Sequence, residues 1–568
     1  MRALVPLLAA ILGAILLAIL GTTPPAPKPE SAIAGEFSAM RAMAEVRRIA
    51  ARPHVTGSKE NAELRAYLVE RLQALGLETS TTTGKVPEKG LEKFEMWSGL
   101  RLESLTFTNV IGILPGRDRS KPALLLMAHH DTVWQSPGAA DDTAGIATIL
   151  ETLRAFEGKQ PARDVIVLIT DAEELGLLGA KQFFAENPLR QRVGAIINLE
   201  ARGGGGRTML FQTAPGNGAA VQLYAQAVPS ASGSSLATFV YDVLPNDTDL
   251  TPALALDVPS YNLSFIGRPG PYHSPLATPD NLDTGALQDM GDQTLGLARS
   301  LAFPEALPAK TANRTFFDLF GLIAIHYGTI FGWIVLLVAV GANLLAMRQR
   351  GGAGGIMRGL AGSAAVLFGG GALLWVLNLL SGAWNSPNYY DRLAAIPMLE
   401  AVALLACAAV LAATAPLWAG RAGGVFAIVI AVALQIIAPT TSFIVVFPLL
   451  VSGLTALLAH ALPGHASTIA RIAGGAIVLG FLLQFGHQLM QAVGPSYPSA
   501  AIAMAALALP MLALLVPQAA SRPALALAAL CLVSATAVAL FVRLDPIAPT
   551  VADYVGPGSG TEKSRRAS

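Results

Sequence analysis

The sequence predicts two unlike parts: an α/β/α sandwich on a mainly parallel mixed sheet, followed by an all-α polytopic membrane domain. Between residues 31 and 306, short apolar runs alternate with helical patterns, as in proteins whose parallel sheet is covered by helices on both faces. From Gly351 to Phe541 only seven side chains carry charge, although the whole chain is 14% charged. The second part is therefore expected to lie in lipid.

Composition limits the classes of protein to consider. A length of 568 residues exceeds an ordinary single domain, so at least two domains are expected. The net charge of +1 gives no reason to expect a nucleic-acid partner. The two cysteines, Cys407 and Cys531, both lie in apolar runs, which excludes a disulfide scaffold and leaves the redox compartment open.

The N-terminus carries an uncharged apolar run from Ala3 to Leu20. It predicts either an uncleaved transmembrane anchor over residues 1–24 or a signal peptide. We favour the anchor, because a signal h-region is usually shorter and no small-x-small cleavage site precedes the Pro24-Pro25 pair. Residues 24–30 read as a linker.

The α/β domain is predicted over residues 31–306. Its first helix should be capped by Ser58 and stopped by Gly76, with apolar residues between them at helical spacing. Strands are predicted at Thr106–Leu114, Ala123–Met127, Val165–Thr170, Ala195–Leu199, Thr208–Gln212 and Ser260–Phe265. Further helices are predicted at Gly145–Phe156, Leu178–Glu186, Gly218–Val228 and Asp283–Leu301.

The membrane domain is predicted over residues 316–545, with a flexible C-terminal tail at 546–568. About eight spans follow from the apolar runs, namely Gly328–Met347, Gly359–Leu380, Leu393–Thr414, Gly424–Ile437, Thr441–Ala459, Ile472–Met490, Ala500–Val516 and Ala524–Val542. The fourth is short for a span, so a tilted or re-entrant segment is the alternative.

Topology follows from the arginines of the short loops. Alternate loops carry Arg348, Arg350, Arg358, Arg421, Arg471 and Arg522. The opposite loops hold only the Asp391-Arg392 pair or no charge. The positive-inside rule therefore places the N-terminus in the cytoplasm and the α/β domain outside it, in the periplasm of a bacterium or the lumen of a eukaryotic organelle.

Polar residues with metal-binding character follow two of the predicted strands. His129 and Asp131 come after the run that ends at Met127, and Glu173-Glu174 follow the run that ends at Thr170. Ligands of open α/β sheets bind at this carboxyl edge. Histidine and carboxylates without nearby cysteine suit Zn²⁺ or a similar hydrolytic metal, whereas each residue alone would be read as an ordinary surface or capping residue.

The complete set of stretches resembles the di-zinc aminopeptidase family of metallopeptidases, over about residues 49–301. The matching stretches are Arg52 to Ser58, His129-x-Asp131, Gly138 to Asp142, Glu173 to Gly179, Asn198-Leu199-Glu200 and Tyr272 to Pro275. The trailing spans look like the vacuolar and endoplasmic-reticulum membrane branch of that family. Members of that branch continue into a further lumenal domain, which we expect this chain to lack.

The resemblance implies a role for each residue of the motif. Asp141 would bridge two Zn²⁺ ions, with His129 and Glu200 on one ion and Glu174 and His273 on the other. Glu200 stands where many soluble relatives have Asp, although the membrane branch also uses Glu. Asp131 would orient His129, Glu173 would be the general base, and Tyr272 matches a position that stabilises the oxyanion in some relatives, with a packing role as the alternative.

The expected protein is a membrane-anchored zinc aminopeptidase acting on peptides at a lipid bilayer. One alternative is a non-catalytic scaffold of a membrane complex, which the complete set of ligands argues against. A second is a transporter with an accessory peptidase domain, since Glu400 and His487 are ionisable residues within spans. Glutaminyl cyclisation occurs on a similar fold with one zinc, and the two-metal set argues against it.

Overall fold

The computed structural model describes residues 4–244, 246–348, 353–383, 392–419, 424–494, 496–516 and 521–544, with side chains from 355 onward in the third range and from 522 onward in the last. Arg350, Asp391, Arg421 and the predicted tail at 546–568 lie outside these ranges. The chain divides into two compact units. An α/β unit contains residues 23–318 and 323–326, and a helical unit contains the N-terminal helix, residues 319–322 and the described residues after 326.

The α/β unit is built on a seven-stranded sheet. Its strands are β1 Glu78–Lys85, β2 Thr106–Leu114, β3 Ala123–His129, β4 Val165–Thr170, β5 Val193–Ala201, β6 Gly205–Thr213 and β7 Ser260–Gly267. The order across the sheet is β1-β2-β4-β3-β5-β7-β6. The four central strands β4, β3, β5 and β7 are parallel, and antiparallel strands close both edges.

The central strands are buried on both faces. Along β3, Leu124 and Leu126 pack with Ile146 in one apolar cluster. Leu125, between them, packs with Phe183 in a second cluster on the opposite face of the sheet. Successive strand side chains point to opposite faces, so a strand that is apolar throughout needs a cover on each side. The predicted α/β/α sandwich with a mainly parallel mixed sheet is confirmed.

Helices cover the sheet at Ala39–Ile49, Lys59–Ala74, Glu88–Ser98, Thr143–Arg154, Leu178–Glu186, Gly218–Ala227, Ser235–Val243, Leu250–Ala253 and Thr284–Ala302. The capping prediction holds at the second of them, because the Ser58 hydroxyl accepts a hydrogen bond from the Asn61 backbone N–H at 3.1 Å. Gly76 follows its last turn with a φ of 84°, a left-handed conformation that favours glycine.

A β-hairpin stands where the sequence predicted the start of the membrane domain. Its strands are β8 Thr315–Leu319 and β9 Ile323–Tyr327. Phe316 belongs to the apolar core of the α/β unit. Residues 323–326 group with the α/β unit, whereas 319–322 and those from 327 onward group with the helical unit, so the domain boundary at 316 stays a prediction.

The helical unit contains apolar helices at Val5–Thr22, Thr329–Arg348, Ala353–Ala364, Gly370–Leu380, Ile396–Trp418, Gly424–Ile437, Phe443–Ala461, Gly464–Val493, Ala501–Leu507, Leu509–Leu515 and Ser521–Leu544. A π-helix at Ala365–Gly369 joins the third to the fourth. In the described residues, seven helices are long and apolar enough to cross a membrane, or eight if a bent pair near residue 508 counts as one span. The number of crossings and their orientation stay predictions.

The N-terminal helix packs inside the helical unit, against the helix Gly464–Val493. The contact is close because small residues face each other: a Cβ added to Gly480 would lie 3.2 Å from the backbone oxygen of Ala14. Small residues let two helices approach closely in lipid. The helix therefore packs as one of the helices of this unit.

Candidate metal centre

The carboxyl edge of the sheet positions the polar residues of the predicted site. His129 is the last residue of β3, and Glu200 is next to the last residue of β5. Glu173 and Glu174 lie in the turn that follows β4, and His273 lies in the turn that follows β7. Because these four strands are parallel, their carboxyl ends bring residues distant in sequence to one edge.

Asp141 reaches this edge from the loop between β3 and the helix Thr143–Arg154. Asp142 fixes the end of that loop: its carboxylate accepts a hydrogen bond from the Gly145 N–H at 3.2 Å, which caps the helix, and another from the His129 N–H at 3.2 Å. One side chain therefore ties the start of the helix to the end of β3, and Asp141 is held beside His129.

Asp141 lies between the two histidines. Its Oδ1 is 3.0 Å from Nε2 of His129, and its Oδ2 is 3.0 Å from Nε2 of His273. The same His273 nitrogen is 2.8 Å from Oε1 of Glu174, and the His129 nitrogen is 4.0 Å from Oε2 of Glu200. Each oxygen of Asp141 thus faces a different histidine, and each histidine faces a second carboxylate.

Two groups of side chains in this arrangement could each hold a metal ion. They are His129 with Asp141 and Glu200, and Asp141 with Glu174 and His273; the donor atoms within each group all lie within 4.8 Å of one another. These groups contain the five residues predicted as ligands. His129, Glu173 and Glu174 form a third such group, so the predicted base lies beside the predicted ligands.

Asp131 contacts His129 and also the turn after β4, a second contact that the sequence did not predict. Nδ1 of His129 lies 3.0 Å from the Asp131 backbone oxygen and 3.5 Å from its carboxylate. A carbonyl oxygen can only accept, so Nδ1 donates and leaves Nε2 free to face Asp141. The two carboxylate oxygens of Asp131 accept hydrogen bonds from the backbone N–H groups of Glu173 and Glu174, at 3.0 and 3.1 Å.

Tyr272 stacks on His273, with ring centroids 3.8 Å apart and an angle of 21° between the rings. Both residues line a cavity that Asp141, Gly203 and Gly204 also line. The tyrosine predicted to stabilise an oxyanion therefore lies at the border of an open space next to the histidine–carboxylate cluster.

The cluster concentrates negative charge away from water. Burial raises the pKa of Glu200 to about 8, with His129 opposing the shift. Burial also raises the pKa of Glu173 well above its usual value. For His273, burial lowers the pKa, but Glu174 and Asp141 outweigh that effect and raise it to about 9. Glu173, Glu200 and His273 therefore hold protons more tightly than they do in water. The pKa of Asp141 is instead lowered, because hydrogen bonds from His129 and His273 outweigh its burial.

This electrostatic state fits a site for divalent cations. Two imidazole nitrogens and three carboxylates are the donor types that bind zinc and related hydrolytic metals. Positive charge that protons supply in the metal-free protein could be supplied by ions, which would compete with those protons. The residues present therefore suit the metal that the sequence predicts.

A buried carboxyl group outside the set of predicted site residues, that of Asp249, lies near the same edge. Asp249 is 1% exposed, and its carboxylate accepts a short hydrogen bond from the hydroxyl of Thr170, the last residue of β4. Burial raises the pKa of Asp249 to about 6, and His129 opposes the shift. No local pattern in the sequence around Asp249 indicates a contact with β4.

A row of buried amides leads to Glu200 across the sheet. Nδ2 of Asn198 lies 3.5 Å from Glu200 and 2.9 Å from the side-chain oxygen of Asn262. Nδ2 of Asn262 in turn donates to Gln212 at 2.9 Å and to the Thr248 hydroxyl at 2.8 Å. Sequence reasoning identified Asn198 only as part of a motif, because the row spans three strands.

A parallel sheet that gathers histidines and carboxylates at its carboxyl edge is the arrangement expected of a metallohydrolase domain. Comparison with known proteins identifies it further. Residues 109–298 match the sequence profile described as Peptidase family M28. The α/β unit thus contains a peptidase M28 domain within residues 109–298, which agrees with the resemblance to metallopeptidases.

Two membrane proteins illustrate the similarity at sequence level. The chain is 32% identical to endoplasmic reticulum metallopeptidase 1 of Mus musculus over 342 residues, which are 56% of this chain and 38% of the mouse protein. It is 27% identical to the vacuolar membrane protease of Eremothecium gossypii over 308 residues, 52% of this chain and 30% of that protein. The chain therefore matches well under half the length of each relative.

Among solved structures, an aminopeptidase from Aneurinibacillus sp. strain AM-1 aligns with 50% of this chain and 99% of its own, at 14% identity and a TM-score of 0.39. A zinc aminopeptidase from Bacillus subtilis aligns over the same share, at 15% identity and a TM-score of 0.38.

Proposed function

We propose that the protein is a membrane-anchored, zinc-dependent aminopeptidase with two metal ions in its α/β unit. The observation that carries the proposal is the position of Asp141, whose two oxygens each lie 3.0 Å from a different histidine. A carboxylate shared between two donor groups is the arrangement that a two-metal site needs. His129 and Glu200 would hold one ion, and Glu174 and His273 the other.

The residues around the donors suit hydrolysis of a peptide bond. When bound, such a metal pair lowers the pKa of water and stabilises charge on the attacking and leaving oxygens. Glu173 is available as the proton acceptor, since neighbouring Glu174 faces His273 and leaves Glu173 without a ligand role in either pair. A carboxyl whose pKa lies above its usual value can both take the proton from water and return it to the leaving amine.

Tyr272 would complete the reaction centre. Its ring is held by stacking on His273, at the border of the cavity beside Asp141. A phenol hydroxyl is a hydrogen-bond donor, and a donor aimed at the developing oxyanion stabilises the transition state more than the ground state. We assign this role to Tyr272.

The surplus of carboxylates favours a substrate that brings a positive charge. Burial raises the pKa of Glu200 to about 8, and the negative charges of Asp141 and Asp249 add to this shift. A free α-ammonium group is attracted to such a site, whereas a C-terminal carboxylate is repelled. This argues for removal of N-terminal residues.

The helical unit would anchor the domain in a bilayer. Seven described helices have the length and composition of membrane spans. The arginine distribution places the α/β unit on the extracytoplasmic side, in a periplasm or an organelle lumen. Peptides on that side are then the proposed substrates.

The deciding experiment uses the full chain in detergent with Zn²⁺ and three matched peptides: free, N-acetylated and C-amidated. We expect release of the N-terminal residue from the free and amidated peptides only. Cleavage of the acetylated peptide at the same rate would replace the aminopeptidase with an endopeptidase. A metal-loaded protein that cleaves none of a broad peptide panel would favour the non-catalytic scaffold.

A further inference from the structure

Three polar side chains meet between two helices of the helical unit. Glu400 lies on the helix Ile396–Trp418, and His487 and Gln491 lie one turn apart on the helix Gly464–Val493. Nδ1 of His487 is 3.1 Å from both oxygens of Glu400. Nε2 of Gln491 donates to Oε1 of Glu400 at 2.7 Å. Ionisable residues within membrane spans are costly and usually functional.

The spacing of these groups matches that of the proposed zinc ligands. In the α/β unit, Nε2 of His273 lies 3.0 Å from a carboxylate oxygen of Asp141 and 2.8 Å from one of Glu174. The corresponding distance between Nδ1 of His487 and a carboxylate oxygen of Glu400 is 3.1 Å. An imidazole nitrogen beside carboxylate oxygens is a donor set that suits divalent transition metals. The pair in the helical unit therefore has both the atoms and the spacing to bind such an ion.

Gln491 supplies a third donor. Its side-chain oxygen is buried and accepts a hydrogen bond from none of the described groups. A buried amide oxygen without a donor is unfavourable. Rotation of the amide would turn this oxygen toward Glu400 and His487. Without a metal ion the oxygen would then be repelled by the Glu400 carboxylate, whereas a bound cation would attract both oxygens.

Charge and access also fit a cation. Glu400 carries the one carboxylate in the described part of the helical unit. Its side chain is 20% exposed and that of His487 is 42% exposed, which leaves an open side for an ion and its water. Glu400 is four residues and His487 six residues from the nearer helix end. At 1.5 Å per residue these are about 6 and 9 Å along the helix axis, so both groups lie near a helix end.

Irregular helices pack against the two helices that carry this cluster. The helix Ala501–Leu507 packs against both helices that carry it, and the chain bends by 53° directly after this helix. Met504 of that helix lies beside Gly486, the residue before His487. The π-helix Ala365–Gly369 packs against the helix that carries Glu400. Broken helices and π-bulges in membrane proteins commonly mark binding sites.

We propose that Glu400, His487 and Gln491 form a second metal centre, which binds one divalent transition-metal cation within the helical unit. The centre is separate from the ligands of the α/β unit and does not depend on peptidase activity. Imidazole, carboxylate and amide oxygen provide three protein ligands, and the exposed side leaves room for water as a fourth, as in zinc sites that are not closed.

The test measures Zn²⁺ bound per chain by elemental analysis of the full-length protein in detergent, after chelator treatment, reloading and removal of free metal. We expect His487→Gln and Glu400→Gln each to lose one ion per chain relative to the wild type. His465→Gln, at the start of the same helix, is the matched control and should keep the wild-type count. Asp141→Ala should lose ions of the other centre and keep this one.

A gain-of-function variant covers the case in which these substitutions unfold the protein. Gln491→Glu places a charged ligand where the amide oxygen lies, and should tighten Zn²⁺ binding at this centre at least tenfold in a competition with a chelator. Equal ion counts in wild type and His487→Gln, both folded by circular dichroism, would overturn the proposal, and so would unchanged affinity in Gln491→Glu. Failure of the peptidase proposal would instead appear as full metal content in Asp141→Ala.

Discussion

The backbone of Glu173 is held by the side chain of Asp131: the Glu173 N–H donates to Oδ1 of Asp131 at 3.0 Å. The other carboxylate oxygen accepts from the next N–H, that of Glu174, at 3.1 Å. One buried carboxylate at the end of β3 thus fixes the turn after β4, which carries the proposed base and a proposed ligand. Asp131 acts on the site as much through this turn as through His129.

Substitution Asp131→Asn should therefore lower kcat more than it lowers metal content. The amide keeps one acceptor but turns an N–H₂ group toward one of the two backbone donors, which shifts the turn. Loss of such a supporting contact typically costs about 10–100-fold in activity or metal affinity. Steady-state kinetics with metal analysis checks this, with the exposed Asp280→Asn as control. An unchanged kcat would contradict the role of the turn.

Substitution Asp141→Ala should empty both proposed sites of the α/β unit. Each of its oxygens faces one histidine at 3.0 Å, so removal of the carboxylate leaves two incomplete donor pairs. Elemental analysis of the reloaded protein should show both ions lost or nearly so. If Asp141→Ala retained both ions, the bridging assignment would be wrong.

Metal binding should strengthen as pH rises from about 6 to 9. Burial raises the pKa of Glu200 to about 8, and Glu174 and Asp141 overcome burial to raise that of His273 to about 9. Both groups hold protons at neutral pH in the metal-free protein, and an ion must displace them. Chelator competition at several pH values gives the proton release per ion. A flat profile across this range would argue against these residues as ligands.

The parts of the fold that the sequence predicted have strong local patterns. The strand β4 was predicted at its observed bounds, because a short apolar run between turn residues is typical of a buried strand. The edge strand Glu78–Lys85 was missed because it is rich in threonine and largely exposed, so no apolar alternation marks it. The hairpin at 315–327 was missed because its residues were counted with the membrane domain, although the first predicted span begins only at Gly328.

The candidate site was predictable where each residue follows its own strand. His129, Glu174, Glu200 and His273 each follow or end a strand of the parallel core, and topology alone brings such residues together. Asp249 depends on a contact with Thr170, 79 residues away, that no local pattern records. Long-range side-chain contacts of this kind appear only in the folded chain.

Topology can be tested by labelling. In a background with Cys407 and Cys531 replaced by alanine, a cysteine at Ser120 of the α/β unit should react with a membrane-impermeant thiol reagent in intact cells. A cysteine in the loop near Arg350 should react only after permeabilisation, because the positive-inside rule places that loop in the cytoplasm. The opposite labelling pattern would reverse the orientation of every span.

Substitution of Glu174 should lower metal content, whereas substitution of Glu173 should lower kcat. Glu174 lies 2.8 Å from Nε2 of His273, so Glu174→Gln should weaken one metal site, and excess Zn²⁺ should partly restore activity. Glu173→Gln keeps the size of the side chain but cannot accept a proton. It should retain both ions and substrate binding while kcat falls about 10²–10⁴-fold, the usual contribution of general-base catalysis.

The measurement is kcat together with metal stoichiometry for both variants, with the exposed Glu186→Gln as matched control. Metal loss in Glu173→Gln with full metal in Glu174→Gln would exchange the two roles, because the ligand would then be the residue assigned as base. Full activity in both variants would remove the chemical basis of the aminopeptidase proposal, since the reaction would need neither the proton acceptor nor the second ligand. The scaffold would then be the better account of the histidine–carboxylate cluster around Asp141.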